Sequence, residues 1–237
     1  MTTAACLIHH KTMKTQRVFK VLGPAAPIDD PTRARILEAA REQFLRLGFS
    51  PVTTDAIASA AGVSKATLYQ NFPSKERLFR EIVLELLREI EAGVESLINS
   101  RGQNFIEKLA AILSFMGIEL SKMSGLATLD MQRNARAVWK EVEAFRRERI
   151  FAKLKRILKE GRASGVFRDD LNQDFLILVY VTIIQEIMNP ATLVPFSLSF
   201  GEAFRMIITM MVEGILTEKG RARFLSRSAG IKPRSQR

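Results

Sequence analysis

The sequence has almost none of the side chains on which enzyme active sites most often depend. Its 237 residues include one cysteine, Cys6, and two histidines, His9 and His10, all within the first ten positions. An intrachain disulfide is therefore impossible, and the rest of the chain offers no cysteine nucleophile, no histidine base and no cysteine or histidine ligands for zinc. Glycine-rich phosphate-binding loops are also missing. We expect a protein that is not an enzyme and that needs no metal or cofactor.

Long apolar runs are missing as well. The longest stretch, residues 175–184, is far shorter than the roughly 20 residues that a membrane-spanning helix needs. The first residues contain no apolar run of the kind found in signal peptides. With a single cysteine, a reducing compartment fits the composition. We therefore expect a cytoplasmic protein with no membrane partner.

Basic residues are present in excess, and they are concentrated at the two ends of the chain. The net charge of +11 divides into +2 for residues 1–30, +4 for residues 31–80, −2 for residues 81–218 and +7 for residues 219–237. A basic end on a nearly neutral body favours a polyanion as partner, although basic tails also serve simply as solvated surface.

Helical signals follow one another from residue 30 to residue 218, and no run alternates as a strand does, so the sequence predicts an all-α fold. Asp30 is a good N-cap and precedes a proline at the first helical position. Two short helices follow, with Ala58 and Gly62 placed so that the helices can cross closely. This is the pattern of a helix-turn-helix motif, here at about 54–73. Its second helix, about 64–71, carries an unusually polar face, as expected of a helix that enters the major groove of DNA.

The run from "TRARILEAAREQFLRLGF" through "TTDAIASAAGVSKATLYQNFPSKERLF" resembles the TetR family of bacterial transcriptional repressors without a gap over about 31–80. The resemblance implies a three-helix DNA-binding domain followed by a helical ligand-binding and dimerisation domain. The expected division is a flexible tail at 1–29, the DNA-binding domain at 30–79, the effector and dimer domain at 80–218, and a basic tail at 219–237.

The resemblance also implies roles for individual residues of the motif. Thr54, Tyr69 and Lys75 would contact phosphates, which sets the register of the protein on DNA rather than the sequence it reads. Gln70 and Asn71 would either read adenine in the major groove or contact a phosphate. The residues implied to lie nearest the DNA at the start of the second helix are Ser64, Lys65, Ala66 and Thr67.

A single recognition helix reads too few base pairs to be specific, whereas two copies about 34 Å apart read a palindrome. The sequence therefore predicts a homodimer on a double-stranded DNA operator. Two apolar stretches, 169–189 and 201–216, are the candidates for the interface. The predicted interface residues are Ile184, Met188, Phe204, Ile208, Met211 and Ile215.

Large, adaptable apolar side chains in the middle of the chain are typical of a ligand cavity, and equally of an ordinary core. Those predicted to line an effector pocket are Met116, Met123, Met131, Trp139 and Phe145. They favour a hydrophobic or amphipathic effector. The basic run Arg146, Arg147 and Arg149 is either a solvated face or an anion site.

The sequence thus favours a ligand-responsive transcriptional regulator, in the repressing mode usual for the family, that a small effector releases from DNA. A regulator or architectural DNA-binding protein without a small-molecule effector is the alternative. It would show weak sequence preference and a steep dependence of binding on salt concentration.

Overall fold

A computed structural model describes residues 30–187, 189–193 and 196–228 of the chain. The predicted tail at 1–29, residues 229–237 and the predicted interface residue Met188 lie outside these ranges. Within them the protein is all α, as predicted, with one isolated bridge between Phe167 and Leu216 in place of any strand. The helices are α1 (Pro31–Leu47), α2 (Thr54–Ala60), α3 (Lys65–Asn71), α4 (Lys75–Ile98), α5 (Phe105–Ser121), α6 (Gly125–Asn134), α7 (Arg136–Ala163), α8 (Gln173–Ile187), α9 (Pro190–Leu193), α10 (Phe200–Ile215) and α11 (Glu218–Ser228).

The four N-terminal helices begin where polar side chains cap them. Asp30, Thr53, Ser64 and Ser74 each accept a hydrogen bond from a backbone N–H in the first turn of α1, α2, α3 and α4. Each cap satisfies one of the N–H groups that a helix start leaves without a partner. The caps therefore set the residue at which each of the short helices α2 and α3 begins.

One apolar core joins the DNA-binding helices to the rest of the molecule. It contains Ile36, Phe44 and Phe79 from the N-terminal helices, and it continues into Val138 and Trp139 of α7. The predicted boundary at residue 79 therefore falls inside a helix and inside a shared core. The two parts of the chain pack as a continuous unit at this point.

A second core lies among α5, α7, α8, α10 and α11. Ile177, Phe200 and Ala203 are its most deeply buried members, and Phe224 of α11 belongs to it. The prediction of a tail from residue 219 is therefore wrong for residues 219–228, since they form a helix whose aromatic side chain is buried in this core.

No single helix in the described ranges is long and apolar enough to cross a membrane. Helices α5 and α6 reach that length and composition only when taken together, and they meet at a bend of 71°.

Candidate nucleic-acid interface and ligand cavity

Helix α3 is attached to the core by one side and leaves its polar side open. Leu68 is fully buried beneath it, and Gly62, with φ of 63°, makes the turn from α2 in a backbone conformation that glycine adopts without strain. The N–H of Val63 donates to the carbonyl of Ala58 at 3.0 Å, which closes the turn. The face opposite Leu68 is consequently presented to solvent in a fixed orientation.

The predicted DNA-contacting residues lie together on this side of the molecule, with different exposures. Lys65, Ala66, Tyr69 and Gln70 are exposed, and Ser64 is exposed at the helix start. The other four are half-buried: Thr54, Thr67, Asn71 and Lys75. The exposed residues of α3, which come from consecutive turns, therefore form the outer face of this helix.

Two of the predicted phosphate ligands meet across the motif. The hydroxyls of Thr54 on α2 and Tyr69 on α3 are 3.3 Å apart. Both can act as donors, since a hydroxyl has one hydrogen that rotates to suit its partner. The pair therefore offers two neighbouring donors of the kind that bind adjacent oxygens of one phosphate.

Lys65 forms an ion pair with Asp55 of α2, with Nζ and Oδ1 separated by 2.7 Å. The hydrogen bond and the negative charge of Asp55 raise the pKa of Lys65 above its ordinary value. Both side chains are exposed, so the pair is open to exchange with a phosphate or a base. Sequence reasoning did not include Asp55, because its approach to Lys65 depends on how the two helices cross.

Three predicted residues are engaged within the domain. Ser64 Oγ accepts the Thr67 N–H at 3.0 Å and lies 2.8 Å from the Thr67 hydroxyl. The side-chain Nδ2 of Asn71 donates to the backbone carbonyl of Thr67 at 2.9 Å, and the backbone carbonyl of Asn71 accepts a hydrogen bond from the Arg33 side chain. Asn71 is thus directed along its own helix, and of the two amides Gln70 is the one displayed outward.

Lys75 is held beside the turn that follows α1. Its Nζ lies 4.4 Å from the centre of the Phe49 ring and donates to the Ser50 carbonyl at 3.3 Å. An ammonium has three donors, so this anchoring leaves capacity for a phosphate oxygen. The phosphate role of Lys75 stays a prediction.

A cavity of about 220 Å³ lies between α4, α5, α6, α7, α8 and α10. Apart from Thr128, Tyr180 and four charged residues, its lining is apolar. The five residues predicted to line an effector pocket all belong to it: Met116, Met123, Met131, Trp139 and Phe145. The Tyr180 hydroxyl donates to the carbonyl of Met211 at 2.7 Å, and burial raises its pKa.

The four charged residues in the lining are Glu91, Arg146, Arg149 and Lys153. The guanidinium carbon of Arg146 lies 4.8 Å from the centre of the Trp139 ring, and burial lowers the pKa of this guanidinium to about 10. Arg149 and Lys153 both pair with Glu91, at 3.5 and 3.3 Å. The cavity thus combines a long apolar wall with a cationic end.

The predicted dimer interface needs correction. Phe204, Ile208 and Ile215 are buried inside their own subunit and line the cavity, as does the half-buried Ile184. Met211 is half-buried and packs against the second core. The apolar side chains that face solvent on these helices are instead Phe175, Leu178, Met206 and Met210. Helix α10 has two apolar faces, and the sequence pattern alone did not distinguish the inner face from the outer one.

Helix α6 touches both the cavity and the DNA-binding helices. Its Thr128 and Met131 line the cavity, while Asp130 accepts a hydrogen bond from the Ser50 N–H at 2.7 Å. Burial acts to raise the pKa of Asp130, but hydrogen bonds from the turn and from Asn134 hold it below its ordinary value. Gly48, with φ of 92°, lets the turn approach, since a Cβ there would lie 2.9 Å from Asp130.

The described residues contain no group of three or more side chains placed to hold a metal ion.

The profile of the family described as "Bacterial regulatory proteins, tetR family" matches residues 36–82. The HTH-type transcriptional regulator YhgD of Bacillus subtilis, itself uncharacterised, is 30% identical over 159 residues, which cover 63% of this chain and 80% of YhgD. The motif, the fold and this relative together define a helix-turn-helix transcription regulator, not an enzyme. The chain belongs to the TetR family of bacterial regulators.

Solved structures with the same fold include two in complex with small molecules. FadR of Bacillus subtilis with stearoyl-CoA superimposes with a TM-score of 0.57 at 21% identity, covering 77% of this chain and 98% of FadR. The SmeT–triclosan complex superimposes with a TM-score of 0.58 at 18% identity, covering 80% of this chain and 93% of SmeT. SmeT is described as the repressor of a Stenotrophomonas maltophilia multidrug efflux pump.

Proposed function

We propose that this protein is a homodimeric repressor that binds a palindromic operator through α3 and leaves it when an apolar effector fills the cavity. The observation that carries the proposal is the pairing of two features in one subunit. A polar helix with a capped start is presented at one end, and a cavity with a mainly apolar lining lies in the body. The first feature suits a major groove and the second suits a small hydrophobic molecule.

Binding to DNA is supported by the arrangement around α3. Lys65, Ala66 and Gln70 are available for base edges along its outer face, and the Thr54–Tyr69 pair and Lys75 are available for phosphates on either side. Phosphate contacts set the register, and base contacts then supply the preference for one sequence. Both kinds of contact are needed for a specific operator.

Dimerisation is supported by the exposed apolar side chains of α8 and α10. Phe175 and Leu178 are 62% and 60% exposed, and Met206 and Met210 are 58% and 70% exposed. These two helices pack against each other, and each leaves two of these side chains in solvent. Large apolar side chains grouped in this way mark interaction sites, and a second copy of the chain is the occupant that a palindromic operator requires.

Release by a hydrophobic effector is supported by the cavity and by two structures of the same fold, which hold stearoyl-CoA and triclosan. Helix α6 supplies the mechanical connection, because its cavity-lining residues are neighbours of Asp130, which binds the turn before α2. An effector that prefers a displaced α6 must weaken DNA binding by the same factor that DNA weakens effector binding. Such coupling is typically about 1–3 kcal/mol.

The testing experiment is selection of binding sites from random duplex DNA at a fixed salt concentration. We expect an inverted repeat whose half-sites are one helical turn apart. Titrating the selected operator at several salt concentrations then separates the proposal from the architectural alternative. A regulator without sequence preference would enrich no inverted repeat and would lose affinity steeply as salt rises. That result would overturn the proposal.

A further inference from the structure

We propose that the cavity ligand is an anionic amphiphile, with its apolar chain among the methionines and its anionic group beside Arg146, Arg149 and Lys153. The inference rests on the proposed function and specifies the chemical class of the effector. Its physical basis is the uneven distribution of charge in the cavity lining. Three cations and one carboxylate, Glu91, supply all of the charge there, which leaves a net charge of +2.

The cations are organised along one side of α7. Arg146, Arg149, Lys153 and Arg156 recur at intervals of three, four and three residues, which places them on one face of the helix. Arg147 does not follow this spacing, and its side chain is exposed. The basic run in the sequence is therefore split, with one residue in solvent and two in the cavity lining.

Of the three cations in the lining, Arg146 is the one expected to contribute most to the binding of an anion. Its guanidinium lies over the indole of Trp139, deep enough that burial lowers its pKa. At neutral pH it remains a cation, in a place where water solvates it poorly. An anion brought to such a site gains more than it would at an exposed arginine, because the attraction is less screened.

The rest of the cavity accepts only an apolar group. Met116, Met123 and Leu120 come from α5 and its end, and Ile208 and Val212 come from α10. The two uncharged polar side chains of the lining are both engaged. Thr128 donates to the Ser124 carbonyl, and Tyr180 donates to Met211. A ligand with polar groups along its length would leave them without partners there.

The cationic end continues into a second concavity of about 480 Å³ on the surface. It shares Glu91, Arg149 and Lys153 with the cavity, and it adds Arg88, Glu95 and Arg156. Four cations and two carboxylates again leave a net charge of +2. This groove provides space for a head group larger than a carboxylate. The shared ligand chemistry is therefore an apolar chain with an anionic head, for which a free fatty acid and an acyl thioester of a phosphorylated carrier are the two sources to be distinguished.

The chain carries its own reporter for the test, because its one tryptophan, Trp139, lines the cavity and touches Arg146. Tryptophan fluorescence of the full-length protein is titrated with palmitate, palmitoyl-CoA and the uncharged methyl palmitate, each below its aggregation concentration. Free coenzyme A and a cationic amphiphile, hexadecyltrimethylammonium, complete the set. We expect at least one of the two anionic ligands to bind about tenfold or more tightly than the methyl ester, and the cationic amphiphile to bind most weakly.

Charge removal at the cavity end is the second part of the test. Arg146→Gln is expected to weaken the anionic ligands about tenfold or more and to leave methyl palmitate nearly unchanged. Arg147→Gln removes the same charge from the same helix outside the cavity, and it is expected to leave every ligand unchanged. Arg149→Gln, at a more exposed position, serves if Arg146→Gln lowers the melting temperature, and Arg146→Lys should restore most of the affinity.

The outcomes distinguish a free acid from a thioester as the ligand, and they test the effector class separately from operator binding. Binding of palmitoyl-CoA alone would identify the thioester, and comparable binding of palmitate would identify the free acid; both support the inference. Equal affinity for the anionic and uncharged ligands would overturn it, as would binding of none of them. Neither result affects the selection of an inverted repeat by the free protein, so the proposed operator binding would stand.

Discussion

At the scale of single residues, the two tyrosines of the chain make a natural comparison, because they use the same hydroxyl in different settings. Tyr69 is 42% exposed on the outer face of α3, whereas Tyr180 of α8 is buried and hydrogen-bonded to α10. Removing one oxygen atom from each separates a contribution to DNA binding from a contribution to stability.

Tyr69→Phe should weaken binding to every DNA sequence by a similar factor, about 3- to 10-fold for one lost hydrogen bond. The reason is that a phosphate contact carries no base preference. Gel-shift titrations on the selected operator and on scrambled duplexes would measure it, with Tyr180→Phe as the matched control that leaves affinity unchanged. A loss confined to the operator would show that Tyr69 reads bases instead.

Tyr180→Phe should lower the free energy of unfolding by about 1 kcal/mol, because the hydroxyl donates to the Met211 carbonyl inside the protein. Urea denaturation followed by circular dichroism would measure the change. Tyr69→Phe is the control here, since its hydroxyl is at the surface. Unchanged stability of Tyr180→Phe would mean that water replaces the hydroxyl without cost.

At the scale of helices, α6 is the element through which the cavity is expected to reach the DNA-binding helices. Asp130→Ala should leave operator affinity within a few-fold of normal in the absence of effector. It should also reduce effector-induced release from the 5- to 150-fold range typical of such coupling to nearly none. Operator titrations with and without ligand would measure both numbers.

Asn134→Ala is the control for that variant. It removes another hydrogen bond of Asp130 but keeps the contact with Ser50, so release should persist. If the effector still released the Asp130→Ala variant from the operator in full, α6 would be excluded as the connection. The next candidate would be the ion pair between Arg80 of α4 and Glu141 of α7, in which Nε and Oε1 are 2.8 Å apart.

Helices α4 and α7 are also joined by charges that respond to acid. Arg156, Lys153 and Asn99 hold the pKa of Glu95 at about 2, well below its ordinary value. A carboxylate with a lowered pKa stabilises the fold above about pH 4.5, and this contribution is lost as pH falls towards 2. Because Glu95 is partly exposed, we expect only about 0.2–1 kcal/mol.

The measurement is the difference in unfolding free energy between the natural protein and Glu95→Gln, at pH 7 and at about pH 3. The difference should shrink as the carboxylate becomes protonated. Glu42→Gln, at an exposed carboxylate of α1, should show almost no difference at either pH. If the difference in unfolding free energy between the natural protein and Glu95→Gln were the same at both pH values, the lowered pKa assigned to Glu95 would be contradicted.

The sequence was sufficient for features that depend on neighbouring residues. Asp30 caps the first helix as predicted, because a cap is a contact within one turn. Pairs that depend on the packing of distant helices were not accessible. Asp130 with Ser50 and Asp55 with Lys65 give no periodic signal, since their approach follows from how whole helices cross.

The sequence predicted the residues of the cavity but not the apolar face that is exposed to solvent. The methionines and aromatics predicted for a pocket do line one, because a run of large apolar side chains must be inside. Helix α10, however, is apolar on two faces, Phe204 and Ile208 on one and Met206 and Met210 on the other. Periodicity identifies both faces, and only the packed structure shows which one remains open.

At the scale of the whole molecule, the open face of α8 and α10 should determine the oligomeric state. Leu178→Asp places a charge on that face and should convert a dimer into monomers, with operator affinity falling tenfold or more. Sedimentation at micromolar concentration would measure the state. Leu126→Asp, at a leucine of α6 that is more exposed than Leu178, should remain dimeric. A dimeric Leu178→Asp would place the interface elsewhere.

The core that joins Ile36, Phe44 and Phe79 to Val138 and Trp139 limits how such regulators can be recombined. In a chimaera that joins residues 30–79 to the ligand-binding domain of another regulator, these side chains would pack against a surface that is complementary to different residues. The graft would leave voids or overlaps beneath the very helices that must stay rigid on DNA. A chimaera that folds and binds DNA should therefore include the surface of α7 that packs against the DNA-binding helices, together with those helices.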